Sequence, residues 1–274
     1  MKTLNKTLLA ATLVSGLGMA SSSAMAASEF QVDESQFVPT FGSLEPGIVT
    51  ADALVGEYVE KVQLTSANTF ATSLQWNATG FANSAVSGAV ETFINTPAIG
   101  YGIYALFQGQ GTFVSSLVDG NVATTFTFTS GSFDLYVDRD GDTEFTSPAT
   151  GSDPFLTTFS TDDDLLGFGD VLFGSGTQNC ANLESEDCGS FGTTTGFELT
   201  DLGRDYFVSP VPFYNVAIES GNFNGIDLTN LTTAQDVAGN MGVRFNNNVP
   251  EPASIALMGL GFIGLGFAGR KKAK

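Results

Sequence analysis

Aromatic and β-branched residues recur at every second position in short runs, and this limits the chain to building strands. Phe126 and Phe128, then Phe133, Leu135 and Val137, are spaced two apart on either side of Ser130-Gly131. A period of two places each set on one face of an extended chain, so the two runs predict a hairpin with one buried face. Similar runs are Tyr58–Leu64, Thr69–Trp76, Gly102–Phe107, Ala123–Phe128, Phe197–Thr200, Tyr206–Val208, Tyr214–Glu219 and Gly242–Phe245, with Gly, Asn, Asp and Ser between them. The pass finds strands and turns rather than helices. It predicts an all-β fold, an antiparallel β-sandwich or jelly-roll-like body. Segments 27–57 and 146–196 carry weak periodicity and much Thr, Gly and Asp, and read as long surface loops or irregular edges.

The two ends lie outside that body. Lys2 and Lys6 precede an apolar stretch from Leu8 to Ala20, and Ala24-Met25-Ala26 supplies a small-x-small step before Ala27. Residues 1–26 therefore read as a cleaved secretory signal peptide, with Ala24, Ala26 and Ala27 around the scissile bond. At the other end stand Val249, Pro250, Glu251 and Pro252, an apolar run over 255–269, and the basic tail Arg270-Lys271-Lys272-Ala273-Lys274. Fifteen apolar residues are fewer than the roughly 20 of a comfortable membrane span, so a transient stop in the membrane is expected. The cations after the run would hold that end in the cytoplasm. This tripartite end resembles the PEP-CTERM sorting signal of exported bacterial proteins. The resemblance implies general secretory machinery and exosortase as partners, and a product secreted or held at the cell surface after transient anchoring in the inner membrane. Residues 249–274 are thus assigned to a sorting signal with a C-terminal helix, and 27–248 to one acidic extracellular domain.

Charge narrows the partners of that domain. Six of the ten Lys and Arg sit in the two ends, which leaves Lys61, Arg139, Arg204 and Arg244 against 28 acids, a net charge near −24. Four scattered cations build no phosphate-binding patch, so nucleic acid is excluded. With no histidine in the chain, Ser-His-Asp, Cys-His and histidine-base chemistry are all ruled out. Carboxylate pairs for glycoside hydrolysis are available everywhere and selected nowhere, so no catalytic residue is assigned. Cys180 and Cys188 are the only cysteines, and export makes a disulfide between them the expectation, worth roughly 2–3 kcal/mol for so short a loop.

The densest acidic stretch is Asp138-Arg139-Asp140-Gly141-Asp142-Thr143-Glu144, directly after a predicted strand. Asp138, Asp140, Asp142 and Glu144 would lie roughly 7 Å apart if extended, too far to share one ion, but Gly141 supplies a bend. Calcium is the ion such a turn would hold, and an acidic hairpin end is the plain alternative. The pattern departs from an EF-hand, with glycine fourth instead of sixth and Ala149 at the twelfth position. Asp162-Asp163-Asp164 reads as a solvated loop. Trp76 with Tyr101, Tyr104, Tyr136, Tyr206 and Tyr214 offers either a sugar-stacking platform or ordinary core.

Three phrases of the body, Gly100-Tyr101-Gly102-Ile103-Tyr104-Ala105-Leu106-Phe107, Ser132-Phe133-Asp134-Leu135-Tyr136-Val137-Asp138 with Asp142-Thr143, and Tyr206-Phe207 with Pro212-Phe213-Tyr214, resemble the flocculation-associated PEP-CTERM proteins. That resemblance implies a non-enzymatic surface or matrix protein working with exopolysaccharide in flocs or biofilm. Two other classes remain open: a calcium-dependent carbohydrate-binding module, and a secreted carbohydrate-active enzyme using carboxylates.

Overall fold

The alternating runs become strands, and eight of them join into one closed ring. In the computed structural model, which describes residues 28–38, 45–86, 90–118, 121–179, 188–228 and 233–247, these are β3 (Ala53–Leu64), β4 (Thr69–Ala82), β5 (Gly102–Val118), β6 (Asn121–Asp138), β9 (Asp164–Gln178), β10 (Gly189–Gly196), β13 (Val216–Phe223) and β14 (Gln235–Asn246). Each is antiparallel to the next in that order, and β14 returns to pair with β3. The all-β class expected from the alternation holds. The architecture is corrected, because the sheet closes on itself as an up-and-down barrel instead of stacking as a sandwich or jelly roll. Closure by the β14–β3 pair, Val237 against Glu60 and Met241 against Gly56, leaves no free edge in the ring.

The hairpin expected at Ser130-Gly131 is also corrected. Residues 121–138 form one strand, in which Gln110 of β5 faces Ser130 but the next residue, Gly111, faces Phe128, so Thr129 is an inserted residue. Such a bulge shifts the parity of every position beyond it. Phe126 and Phe128 point inward from even positions, and Phe133, Leu135 and Val137 from odd ones. In the sequence that change of phase looks like a turn.

The expectation of loops over 146–196 fails for a related reason. Strands β9 and β10 both lie there, and β9 places Gly167, Gly169, Gly174 and Gly176 on its inward face where alternation would need apolar side chains. Rings from neighbouring strands occupy that space: a Cβ on Gly167 would meet the Phe197 ring at 2.8 Å, and one on Gly174 the Phe128 ring at 3.0 Å. Segment 27–57 likewise holds β1 (Phe30–Asp33), β2 (Ile48–Ala51) and the start of β3. A short helix, α1 (Asp201–Tyr206), fills the gap between the expected strands Phe197–Thr200 and Tyr206–Val208 and takes in Tyr206 of the second, and the Thr200 hydroxyl caps it by accepting from Gly203 N.

One end of the barrel is plugged. Strands β1, β2 and β12 (Phe207–Ser209) form a small sheet there, from which Phe30 packs against Phe81, Phe207, Phe213 and Phe245 with ring centroids 5.2–6.3 Å apart. Buried Glu34 accepts from Phe93 N at 2.8 Å and from Tyr101 Oη at 3.1 Å, and the Tyr101 and Tyr206 hydroxyls meet at 2.6 Å. At the opposite end Gln178 and the Ile226 backbone exchange two hydrogen bonds of 2.8 Å. A hairpin of β7 (Glu144–Thr146) and β8 (Leu156–Thr158) leaves the ring between β6 and β9.

Candidate functional site

An eight-stranded barrel is just wide enough for its side chains to fill, or to hold one small ligand. Here the filling is incomplete. A cavity of about 90 Å³ remains in the lumen, walled by Trp76, Phe70, Phe126, Phe128, Phe133 and other apolar side chains of the ring, with Gly176 from β9. Two carboxyl groups share this wall, Glu60 from β3 and Glu219 from β13. Both stand at inward positions because they keep phase with apolar neighbours, Glu60 between Tyr58 and Val62, and Glu219 between Ala217 and Phe223.

Each carboxyl accepts from one threonine on the adjacent strand. The Thr72 hydroxyl donates to Glu60 Oε1, and the Thr195 hydroxyl donates to Glu219 Oε1 at 2.7 Å. Glu219 is 9% exposed, and its Oε2 has no hydrogen-bond partner. Among the described residues no Lys or Arg lines the lumen beside either group. Desolvation therefore dominates: it pushes Glu60 up to about 7 and Glu219 up to about 8, against the smaller opposing effect of the threonine hydroxyls. The sequence reading missed both residues. Their signal was a lone acid in register with the buried face of an alternating strand.

The acidic turn assembles three of its four expected ligands. One oxygen each from Asp138, Asp140 and Asp142 lies within 4.8 Å of the others, while Glu144 opens β7 and is not in the group. Oxygens bound to one calcium at contacts of about 2.3–2.6 Å can lie that far apart, so the donor set fits a cation. Asp138 also organises the turn itself, its Oδ1 accepting from Gly141 N at 2.7 Å and its Oδ2 from Thr143 N at 3.0 Å. Desolvation within the turn and the adjacent Asp140 carboxylate raise the pKa of Asp142. Asp162-Asp163-Asp164 is not the free loop expected. Asp163 accepts from the Tyr104 hydroxyl at 2.6 Å and from Thr143 Oγ1 at 2.8 Å, and Asp164 pairs with Arg139 at 2.7 Å. Replacing Asp138 by alanine should cost about 1–3 kcal/mol in urea unfolding, because two backbone donors of the turn lose their acceptor. Calcium should raise the melting temperature beyond magnesium or matched sodium chloride, and Asp140→Asn with Asp142→Asn should abolish that excess. An equal rise in all three salts would reduce the effect to surface screening.

The aromatic platform dissolves into the core. Trp76, Tyr101 and Tyr206 are each at most 1% exposed, and Tyr104 stacks on Tyr136 at 5.0 Å under the edge of Phe145. Tyr214 donates to Glu29 O at 2.7 Å. Cys188 is buried at the start of β10, whereas Cys180 lies outside the described residues. Ala24, Ala26, Ala27, Val249, Pro250, Glu251, Pro252 and the run 255–269 also lie outside them. Among the described residues no helix is long and apolar enough to cross a membrane.

The fold is that of an acidic, all-β protein. The PEP-CTERM protein-sorting motif matches residues 248–272, which makes the chain a PEP-CTERM protein, directed to exosortase and out of the cell. Comparison with curated proteins and with solved structures gave no match.

Proposed function

We propose that this is a non-enzymatic surface or matrix protein that acts structurally or adhesively with exopolysaccharide in floc or biofilm formation. The sorting motif at 248–272 carries the reading, because exosortase processing delivers the folded barrel to the cell exterior. The rest of the chain is consistent with a scaffold. The high negative charge of its acidic domain favours solubility and attracts divalent cations, and its ring of strands exposes no edge for uncontrolled pairing. An apolar lumen of about 90 Å³ has no room for a polysaccharide chain, so contact with polymer falls to the outer surface.

The test is deletion of the gene, followed by complementation with the full chain and with a chain ending at Asn248. Flocs should be lost on deletion, return with the full chain, and fail to return without the tag. Unchanged flocculation would overturn the adhesive role, and hydrolysis of matrix polysaccharide by purified protein would replace it with the enzyme reading. Saturable sugar binding abolished by a chelator would favour the calcium-dependent module. In the same strains, mass spectrometry of the released protein should find no peptide from Ile255 onward, since the Pro250-Glu251-Pro252 triplet separates the domain from the apolar run. Recovery of Lys274 in that fraction would refute processing there.

A further inference from the structure

We propose that a groove on the outer face of the barrel binds a segment of a neutral polysaccharide, with Gln108, Ser132 and Asp170 as its polar floor and Phe168 and Phe173 as its aromatic rim. The inference rests on the exopolysaccharide reading above and deepens it, by giving the polymer a site and a charge class. The groove holds about 420 Å³ between the tip of the β7–β8 hairpin and the wall of the ring. That volume falls within the roughly 300–1,000 Å³ of ordinary ligand sites.

Strand register brings the parts of the groove together. Gln108 of β5 is paired with Ser132 of β6, and Ser132 with Asp170 of β9, so three exposed polar side chains stand side by side over about 10 Å. Two residues along the same strands, Gln110 Nε2 donates to Ser130 Oγ at 3.0 Å. The hairpin supplies a side wall. Gly151 lies against β4, where a Cβ would meet the Ala71 carbonyl oxygen at 2.3 Å, and Gln108 Nε2 donates to Ser152 O at 3.0 Å. On the open side Asp170 falls between two half-exposed rings of β9, Phe168 at 38% and Phe173 at 49% exposure.

The chemistry of these groups selects the ligand. Among the described residues no Lys or Arg lines the groove, which disfavours phosphates and nucleic acid. Its one carboxylate offers a metal ion too few oxygens. A wholly apolar ligand would cover the amides and hydroxyls of the floor without pairing them. The strands beneath spend their backbone groups on each other, so no edge receives a peptide strand. What fits is a neutral molecule dense in hydroxyls, each both donor and acceptor, with C–H faces to lie on the rings. Among the described residues the Ser132 hydroxyl and the Asp170 carboxylate have no partner of their own and are open to such hydroxyls. A polymer carrying carboxylates would be repelled by a domain of net charge near −24.

Polysaccharide from cultures of the producing cells is separated by anion exchange into neutral and acidic fractions, and each is titrated into the purified exported protein by calorimetry. The neutral fraction should bind saturably, and the acidic fraction at least about tenfold more weakly. Asp170→Asn and Phe168→Ala, both at exposed positions, should each weaken binding of the neutral fraction by about five- to tenfold. Glu57→Gln removes the same charge from an exposed position on β3 and should change nothing. The assignment is overturned by no saturable binding of the neutral fraction, by tighter binding of the acidic one, by unaltered binding in both groove variants, or by an equal loss in Glu57→Gln. Gene deletion separates this failure from failure of the adhesive role. Flocs lost on deletion with no binding of the neutral fraction would remove the site and keep the role. Flocs intact on deletion with groove-dependent binding would remove the role and keep the site.

Discussion

Replacing Trp76 by alanine is expected to destabilise the barrel by about 3–5 kcal/mol, the largest loss anticipated from any single side chain in the lumen. Trp76 is fully buried on β4, opposite Tyr58 of β3 and Ala105 of β5. Its Nε1 reaches over Gly56 of β3 and donates to Met241 O at 3.2 Å, tying β4 to β14. The indole fits because Gly56 lies beneath it, where a Cβ would come within 2.6 Å of Nε1. Alanine at 76 would join the vacated volume to the existing cavity, and the closed ring limits how far the walls can relax inward. Urea unfolding followed by circular dichroism gives the measurement. Phenylalanine at the same position should cost less, roughly 1–3 kcal/mol, chiefly through the carbonyl of Met241 left without its donor. A loss below about 1 kcal/mol for alanine would mean that the lumen collapses freely and that the packing described does not hold the ring together.

The sequence made strands legible wherever apolar residues kept one parity of a period of two. Tyr58–Leu64 and Thr69–Trp76 both fall inside observed strands, since Tyr58, Val62 and Leu64 on β3 and Phe70, Leu74 and Trp76 on β4 share one parity, with Glu60 and Thr72 as the polar members of those rows. Interrupted alternation was misread. Thr129 shifts the phase of β6, and the change of phase beside Ser130-Gly131 imitates a turn, because a bulge and a hairpin turn leave the same local mark. Strand β9 was unreadable for a different reason, because its inward glycines make space for the rings of Phe197, Phe133 and Phe128 that other segments supply. Closure was beyond local reading altogether. A sandwich and a barrel share the same alternation, and what separates them here is the long-range pairing of Gln235–Val243 with Leu54–Val62.

The candidate site divides along the same line. Asp138, Asp140 and Asp142 were legible because chain neighbours converge when a glycine bends the backbone between them. Glu60 and Glu219 were not, because 158 residues separate them and only the ring brings both to one lumen. Each looked like one acid among many. What distinguishes them is burial, which an abundance of carboxylates on the surface conceals.

That burial sets the pH dependence of stability. Glu219 sits at about 8 and Glu60 at about 7, both above the ordinary 4.5 expected in an unfolded chain. Below about pH 4.5 both are protonated whether the chain is folded or not, and the contribution from the neutral buried forms is fully present. As pH rises beyond that value the unfolded chain releases protons that the folded chain retains, so stability falls. The fall continues through the two folded values and ends a little above pH 8. Glu219 alone should account for a loss on the order of 3 kcal/mol after allowance for relaxation of the site. The window from pH 6 to pH 9 isolates this effect, since ordinary surface carboxylates are already ionised there and no histidine is present to titrate. The buried tyrosines stay protonated throughout, because burial raises Tyr58, Tyr101 and Tyr206 above their usual value of 10. Urea unfolding at pH 6 and pH 9 should therefore show the wild-type protein markedly weaker at the higher pH. The double variant Glu60→Gln, Glu219→Gln should be nearly flat over the same range. An equal fall in wild type and double variant would place the titrating groups elsewhere and remove the lumen acids from any role in stability. A flat wild-type profile would show instead that water reaches both carboxyls freely.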